Sequence, residues 1–393
     1  MVIAAALAGP LLLASTARRM LDVVGGGTRA MTTLALLNAR GYSRRMTGAI
    51  VPLALLLAVG TVQSGASNAL VEATGRHVRE SVVADLVVPG PASDREAAAV
   101  AGLPGVASTA VVRTVPAKVR LDEDYADLPV LDTWSWETSS LLVVPDGGGF
   151  VDPEVVAGSL AALADGHAIA VSRDAAPGMT RIGDPVDVRL GGTETRFVVA
   201  AIYERGLALG DYLIGAAGAD RAGAGPVGGR TLLVRVADDA DVASVRTAIR
   251  ATGLTATDVD GYARGVQDGA ARQQNLSTAL LLALLALVLV MAANTLVITT
   301  RSRRSELARL QRAGATRAQV LKMILTESMI ATATALLVGL ACALPALAGV
   351  GQGLLGAPVP DVDLGVLGAL TGTVALAGVA VPLLTAVGAT RPR

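Results

Sequence analysis

The sequence predicts an α-helical membrane bundle of about five transmembrane helices, joined to a large extracytoplasmic α+β domain. Three observations predict it. The 393 residues are 52% hydrophobic and 17% charged, with a mean hydropathy of +0.56, whereas soluble domains carry about 25% charged residues. Apolar segments of about the 20 residues that a bilayer crossing needs recur along the chain. The net charge is zero, yet the charge is strongly segregated. Composition excludes collagen-like, disordered and disulfide-rich secreted classes. The single cysteine, Cys342, has no partner for an internal disulfide.

The elements follow in order. Residues 1–17 read as a partial or first transmembrane helix. A signal peptide is the competing reading, but no basic region precedes the apolar run, and Arg18 and Arg19 follow it. Residues 18–46 form a basic loop, 47–66 a span, and 67–272 a large domain. A second span covers 276–299 and contains an unbroken apolar run from Ala279 to Ala293. A hairpin at 300–328 and spans at 330–350 and 364–388 follow, with a short tail at 389–393. The two basic loops and the tail together hold 15 basic and 3 acidic residues, against 18 basic and 28 acidic in 67–272. Arginine-rich short loops stay in the cytoplasm. Alternating spans then put 18–46, 300–328 and the tail inside and 67–272 outside, in a multi-pass plasma-membrane protein.

Within 67–272, Leu70, Val71, Thr74, Val78 and Val82 continue the first long span at helical spacing. Tyr262 to Ser277 leads as a polar helix into the next span, so two stalk helices are expected. A strand at 85–88, a helix at 95–101 with Ser93 and Glu96 as a capping box, and a strand at 110–121 form one β-α-β half. Strand 231–236, helix 240–251 and strand 254–259 form another. Two such halves fit a ferredoxin-like split βαβ unit. Between them lies a β-rich insert with strands at 168–172, 185–190 and 196–203, and Gly191-Gly192 as a hairpin turn.

Catalytic patterns are scarce. No G-x-x-x-x-G-K-[ST] run exists, and neither lysine, Lys118 or Lys322, follows a glycine loop. The chain is therefore not itself a P-loop ATPase. His77 and His167 are far apart and read as solvated or packed. Asp122, Glu123, Asp124 and Asp127 cluster, but without the EF-hand glycine and distal glutamate in register, so a solvated loop is the better reading than calcium binding. Trp134, Trp136 and Phe150 are candidates for an exposed loop patch, or for packing within the insert. Asn294 and Thr295 suit a hydrogen bond to a neighbouring helix better than an ion pathway. No enzymatic role, no cofactor, no metal and no nucleic-acid partner is expected.

The hairpin carries the most information. A basic helix with Leu307 and Leu310 on one face ends at Ala313-Gly314-Ala315, where Gly314 is a natural residue just past a helix end. Thr316 begins a new helix, with Gln319 three residues on in capping-box spacing. The run from Arg303 to Thr316, followed by Gln319 and Glu327, resembles the signature of FtsX-like ABC transporter permeases, the MacB or LolC/LolE type. One span, a large external domain and three further spans are similar to the same family. Asn38 to Arg45 resembles its basic segment before the first core span, and the split βαβ unit with its insert is similar to its porter and sabre subdomains.

The resemblance implies a permease subunit whose hairpin meets a separate ATPase. Arg304, Glu306, Leu307, Leu310, Gly314, Ala315, Thr316 and Gln319 would form that contact. Glu327, Arg44 and Arg45 would lie where the chain enters the membrane from the cytoplasm. Glu327 either snorkels to the interface or pairs with an arginine of the first loop. ATP and Mg are expected on the partner subunit. The expected partners are that ATPase, a second permease module and the lipid bilayer. The extra partial span suggests the C-terminal module of a longer permease or a split one. The competing function for such mechanics is a regulator of an external partner such as a cell-wall hydrolase. A purely structural, lipid-bound turn competes with the ATPase contact. A membrane-anchored enzyme or receptor is the reading from another class.

Overall fold

The computed structural model describes residues 43–90, 93–123, 133–145, 149–175, 181–224, 228–302, 309 and 311–389. The expected helix at 1–17, most of the 18–46 loop and part of the acidic cluster lie outside the described residues. The chain divides into two compact units, with breaks between Val71 and Glu72 and between Ala270 and Ala271.

The first unit is helical. Helix α1 spans Ser43–Ser81 and contributes residues to both units. In chain order the other three long helices run Val259–Ser302, Arg317–Leu355 and Leu364–Ala389. Four helices among the described residues are long and apolar enough to cross a membrane. Their shared core holds Ile50, Leu53, Leu57, Leu285, Ala335 and Val374. Small residues set the closest approaches, as in other membrane bundles. A Cβ on Gly339 would lie 2.8 Å from the Ala54 carbonyl oxygen. Leu280, Leu284 and Leu287 turn outward and are more than half exposed, as suits side chains solvated by lipid.

The second unit is an α+β domain. Its elements are β1 (Leu86–Pro89), α2 (Asp94–Ala101), β2 (Val106–Glu123), β3 (Thr133–Val144), β4 (Val155–Gly158) and β5 (Ala168–Ser172). After these come β6 (Pro185–Leu190), β7 (Thr193–Tyr203), α3 (Gly206–Leu209), β8 (Tyr212–Gly215), α4 (Ala216–Arg221), β9 (Arg230–Val236) and α5 (Val242–Ala251). The long helices Val259–Ser302, Arg317–Leu355 and Leu364–Ala389 are then α6, α7 and α8.

All nine strands share one sheet. Part of it closes on itself. β2 pairs β3, β3 pairs β8, β8 pairs β5, β5 pairs β7, β7 pairs β6, and β6 returns to β2 through Lys118 and Val119. Alternating residues of these strands fill the interior, including Val119, Leu141, Ile169, Val188, Phe197 and Ile214. A register shift opposite Ile169 and Ala170 leaves Ala200 as an extra residue on β7. Phe197 and Val199 then enter this core, while Ala201 and Tyr203 join a second cluster.

The sheet continues from β2 through β9 to β1. Val87 also bridges Thr257 beyond β1, in antiparallel sense. Helices α2 and α5 cover this part, burying Val100, Val245 and Ile249 against Leu86, Val88, Leu232 and Val234. Both helices begin with side-chain caps, Ser93 with Glu96 for α2 and Asp241 for α5.

Strand β2 is 18 residues long and serves both the barrel and the outer strands. Two expectations need correction. The strand expected at 254–259 shrinks to the single bridge at Thr257, since Val259 already starts α6. Trp134 and Trp136 lie on β3 and not in a loop, paired with Asp122 and Arg120. Trp136 is half-buried beneath the Arg189 guanidinium, 4.2 Å from its centroid.

Candidate functional site: the capped turn before α7

The turn is built from three local preferences. The preceding helical residues end as the Ala313 N–H donates to the Arg309 carbonyl at 3.0 Å, and the Gly314 N–H donates to the Gln311 carbonyl at 3.1 Å. Gly314 then adopts φ +96°, a region that glycine enters without Cβ strain. Thr316 is extended, at φ −74° and ψ 155°, and caps α7. Its Oγ1 accepts from the Gln319 N–H at 3.3 Å, and the Gln319 Oε1 accepts from the Thr316 N–H at 2.8 Å. Two of the orphan donors of a helix N-terminus are thereby satisfied.

Exposure and packing divide the turn. Gly314, Thr316 and Gln319 are exposed, whereas Ala315 is half-buried. Ala315 packs against Val320, Met323, Ile324 and Ala386, which anchors the turn to α7 and α8. Nothing lies within 4 Å of a Cβ built on Gly314. The result is a rigidly supported, solvent-facing corner flanked by the exposed arginines Arg309, Arg312 and Arg317. It offers hydrogen-bonding groups and positive charge.

The expected contact and membrane-entry residues fall into four sets. Gly314, Ala315, Thr316 and Gln319 come together in the turn. Arg304, Glu306, Leu307 and Leu310 lie outside the described residues. Arg44 and Arg45 sit in the first turn of α1 by backbone position. Glu327 is on α7 and only 4% exposed.

Other polar groups lie in the α+β domain. Among the described residues no group of three or more His, Cys, Asp and Glu is arranged to hold a metal ion. His167 Nδ1 lies 2.9 Å from the Asp165 carbonyl oxygen. The most connected charged residue there is Arg205, with a side chain 14% exposed. Its Nη1 donates to the Glu80 and Asp152 carbonyls at 3.0 Å each and lies 2.9 Å from Asp152 Oδ2. Its Nε lies 3.3 Å from Glu154 Oε2 and 3.6 Å from Glu80 Oε2 without hydrogen-bond alignment to either. The guanidinium thus caps the end of α1, where orphan carbonyls and the helix dipole favour a cation. No sequence motif marks Arg205, because Glu80 and Asp152 are distant in the chain.

Residues 278–391 match the family described as FtsX-like permease C-terminal. This match spans the turn and nearly all of the three spans from α6 onward. No curated protein matches the chain. Solved structures similar to part of the chain include the following. The periplasmic region of MacB from Actinobacillus actinomycetemcomitans has 9% identity and a TM-score of 0.32, covering 48% of this chain and 95% of that one. The extracellular domain of the noncanonic ABC-type transporter YknZ from Gram-positive bacteria has 12% identity and a TM-score of 0.32, covering 44% and 99%. A domain of a putative permease protein from Porphyromonas gingivalis has 12% identity and a TM-score of 0.28, covering 45% and 88%.

Proposed function

We propose that this chain, whose residues 278–391 match the FtsX-like permease C-terminal family, is the transmembrane permease subunit of an ABC-type transporter. A separate ATPase drives it, and the turn at Gly314–Gln319 is where the two meet. The observation that carries this reading is the turn itself. It is exposed, doubly capped and anchored by packing, and it falls inside the family match. A lipid contact alone requires arginines, but no left-handed glycine followed by a capping box. ATP binding and release on the partner shift the turn between two positions, which requires different affinities for the two states. Helices α1 and α6 run without a break from spans into the external unit. They carry that displacement outward, so substrate is exported or extruded at the external face.

The chain works with a second permease module, in the plasma membrane, with the α+β domain outside. That domain contains a ferredoxin-like split βαβ unit. The order Thr257 bridge, β1, β9, β2, with α2 and α5 covering these strands, supports this. The closed barrel is then inserted between its second and third strands.

The experiment is co-purification in detergent with candidate ATPase subunits. Wild type is compared with Glu306→Arg, which reverses a charge of the expected contact set, and with Gly314→Trp, which disfavours the left-handed conformation. Loss of the ATPase from both variants, with membrane insertion retained, is the expected result. Equal recovery from all three proteins removes the proposed contact.

A further inference from the structure

Helices α1, α6 and α8 enclose a half-open cavity of about 230 Å³ in the membrane unit. It lies at the end of the spans opposite the Gly314 turn, since Gln274 to Leu285 opens the membrane part of α6 and Ser302 closes it. The lining is divided by chemistry. Gln63, Ser64 and Ser67 come from one face of α1, at i, i+1 and i+4, and Gln274 faces them from α6. Leu281, Leu285, Val366 and Leu370 form the other wall. Ser67 Oγ is buried and has no hydrogen-bond partner among the described residues.

A buried hydroxyl without a partner is costly, and amide side chains at membrane depth are rarely left idle. Among the described residues one carboxylate, Asp363, also lines the cavity, and no lysine or arginine does. Its Oδ1 accepts from the Gly365 N–H at 2.7 Å and so caps α8. The carboxylate still leaves a negative charge at the mouth.

We propose that this cavity binds a membrane amphiphile with one acyl chain along Leu281, Leu285 and Leu370, and an amine-bearing zwitterionic headgroup beside Asp363. The hydroxyl of Ser67 and the amides of Gln63 and Gln274 donate to the ester or phosphate oxygens between them. An apolar wall opposite a row of uncharged donors matches the junction of chain and headgroup. The inference needs these helices to span a membrane. It does not need coupling to an ATPase, so it stands or falls separately from the permease reading.

The test uses the full chain in nanodiscs and two photoreactive probes. They are lysophosphatidylethanolamine and lysophosphatidylglycerol, each with a diazirine in the acyl chain. Crosslinked peptides are mapped by mass spectrometry. The ethanolamine probe should label the Leu281–Leu285 and Leu370 peptides above the outward-facing Leu376. Ser67→Leu should lower that labelling roughly five-fold, the worth of one hydrogen bond. Asp363→Asn retains an oxygen to cap α8 and should make the two probes label equally. Labelling spread evenly over lipid-facing positions, or equal labelling of wild type by both probes, overturns the proposal. So does unchanged labelling in Ser67→Leu.

Discussion

Gly314 and Thr316 show how much one residue decides. At φ +96° a β-branched side chain costs about 1–2 kcal/mol. The space around the position is open, so that cost is conformational and not steric. Gly314→Asn should therefore be tolerated far better than Gly314→Val, because asparagine enters the left-handed region more readily. Amide hydrogen exchange over residues 313–322 of the full chain checks this. Protection should fall markedly in Gly314→Val and little in Gly314→Asn, and equal loss would mean that the turn does not depend on that conformation. The same residues were readable from sequence. A glycine just past a helix and the spacing T-x-x-Q are local signals whose physics acts within one turn of chain. Arg205 was not readable, because each partner it caps or pairs with lies on a different segment.

At the scale of elements, legibility follows the range of the interaction. Helices α2 and α7 announce themselves through caps and periodicity, and β5 and β6 through short apolar runs between turns. Strand β3 does not. Its sequence, Thr133 to Val144, mixes serines, a glutamate and two tryptophans, and it becomes a strand by pairing with β2 over eleven positions. Barrel closure is equally invisible locally, since β6 meets β2 from nearly seventy residues away. An ion pair accompanies that junction. Asp187 on β6 accepts from Arg196 at 2.6 and 3.0 Å and lies 3.4 Å from Arg120 on β2. The Arg196 hydrogen bonds, then the nearby positive charge, hold its carboxyl below the usual carboxylate range. A depressed carboxylate contributes stability above its unfolded value of about 3.9, and that contribution is lost as pH falls through the folded value. Asp187→Asn should thus lower the thermal midpoint at pH 7, and the gap from wild type should close toward pH 3. Thermal unfolding of the full chain in detergent measures it, and a gap independent of pH would deny the ion pair this role.

At the scale of the molecule, the chain joins a bundle of spans and a barrel-bearing α+β domain by two unbroken helices. The long apolar helices were legible because bilayer thickness acts on composition alone. The internal pairing of α1 and α7 was not, since small residues such as Gly339 set it in three dimensions. The central claim is that the exposed turn before α7 contacts an ATPase that works on this permease. Its most direct test places a photoreactive residue at Ala318, exposed and outside the capping box. Crosslinking is then carried out in native membranes with and without ATP, and the attached species is identified by mass spectrometry. The expected product is a crosslink to a P-loop ATPase whose yield changes with nucleotide. Attachment to lipid alone, or to a protein without a nucleotide site, would contradict the claim.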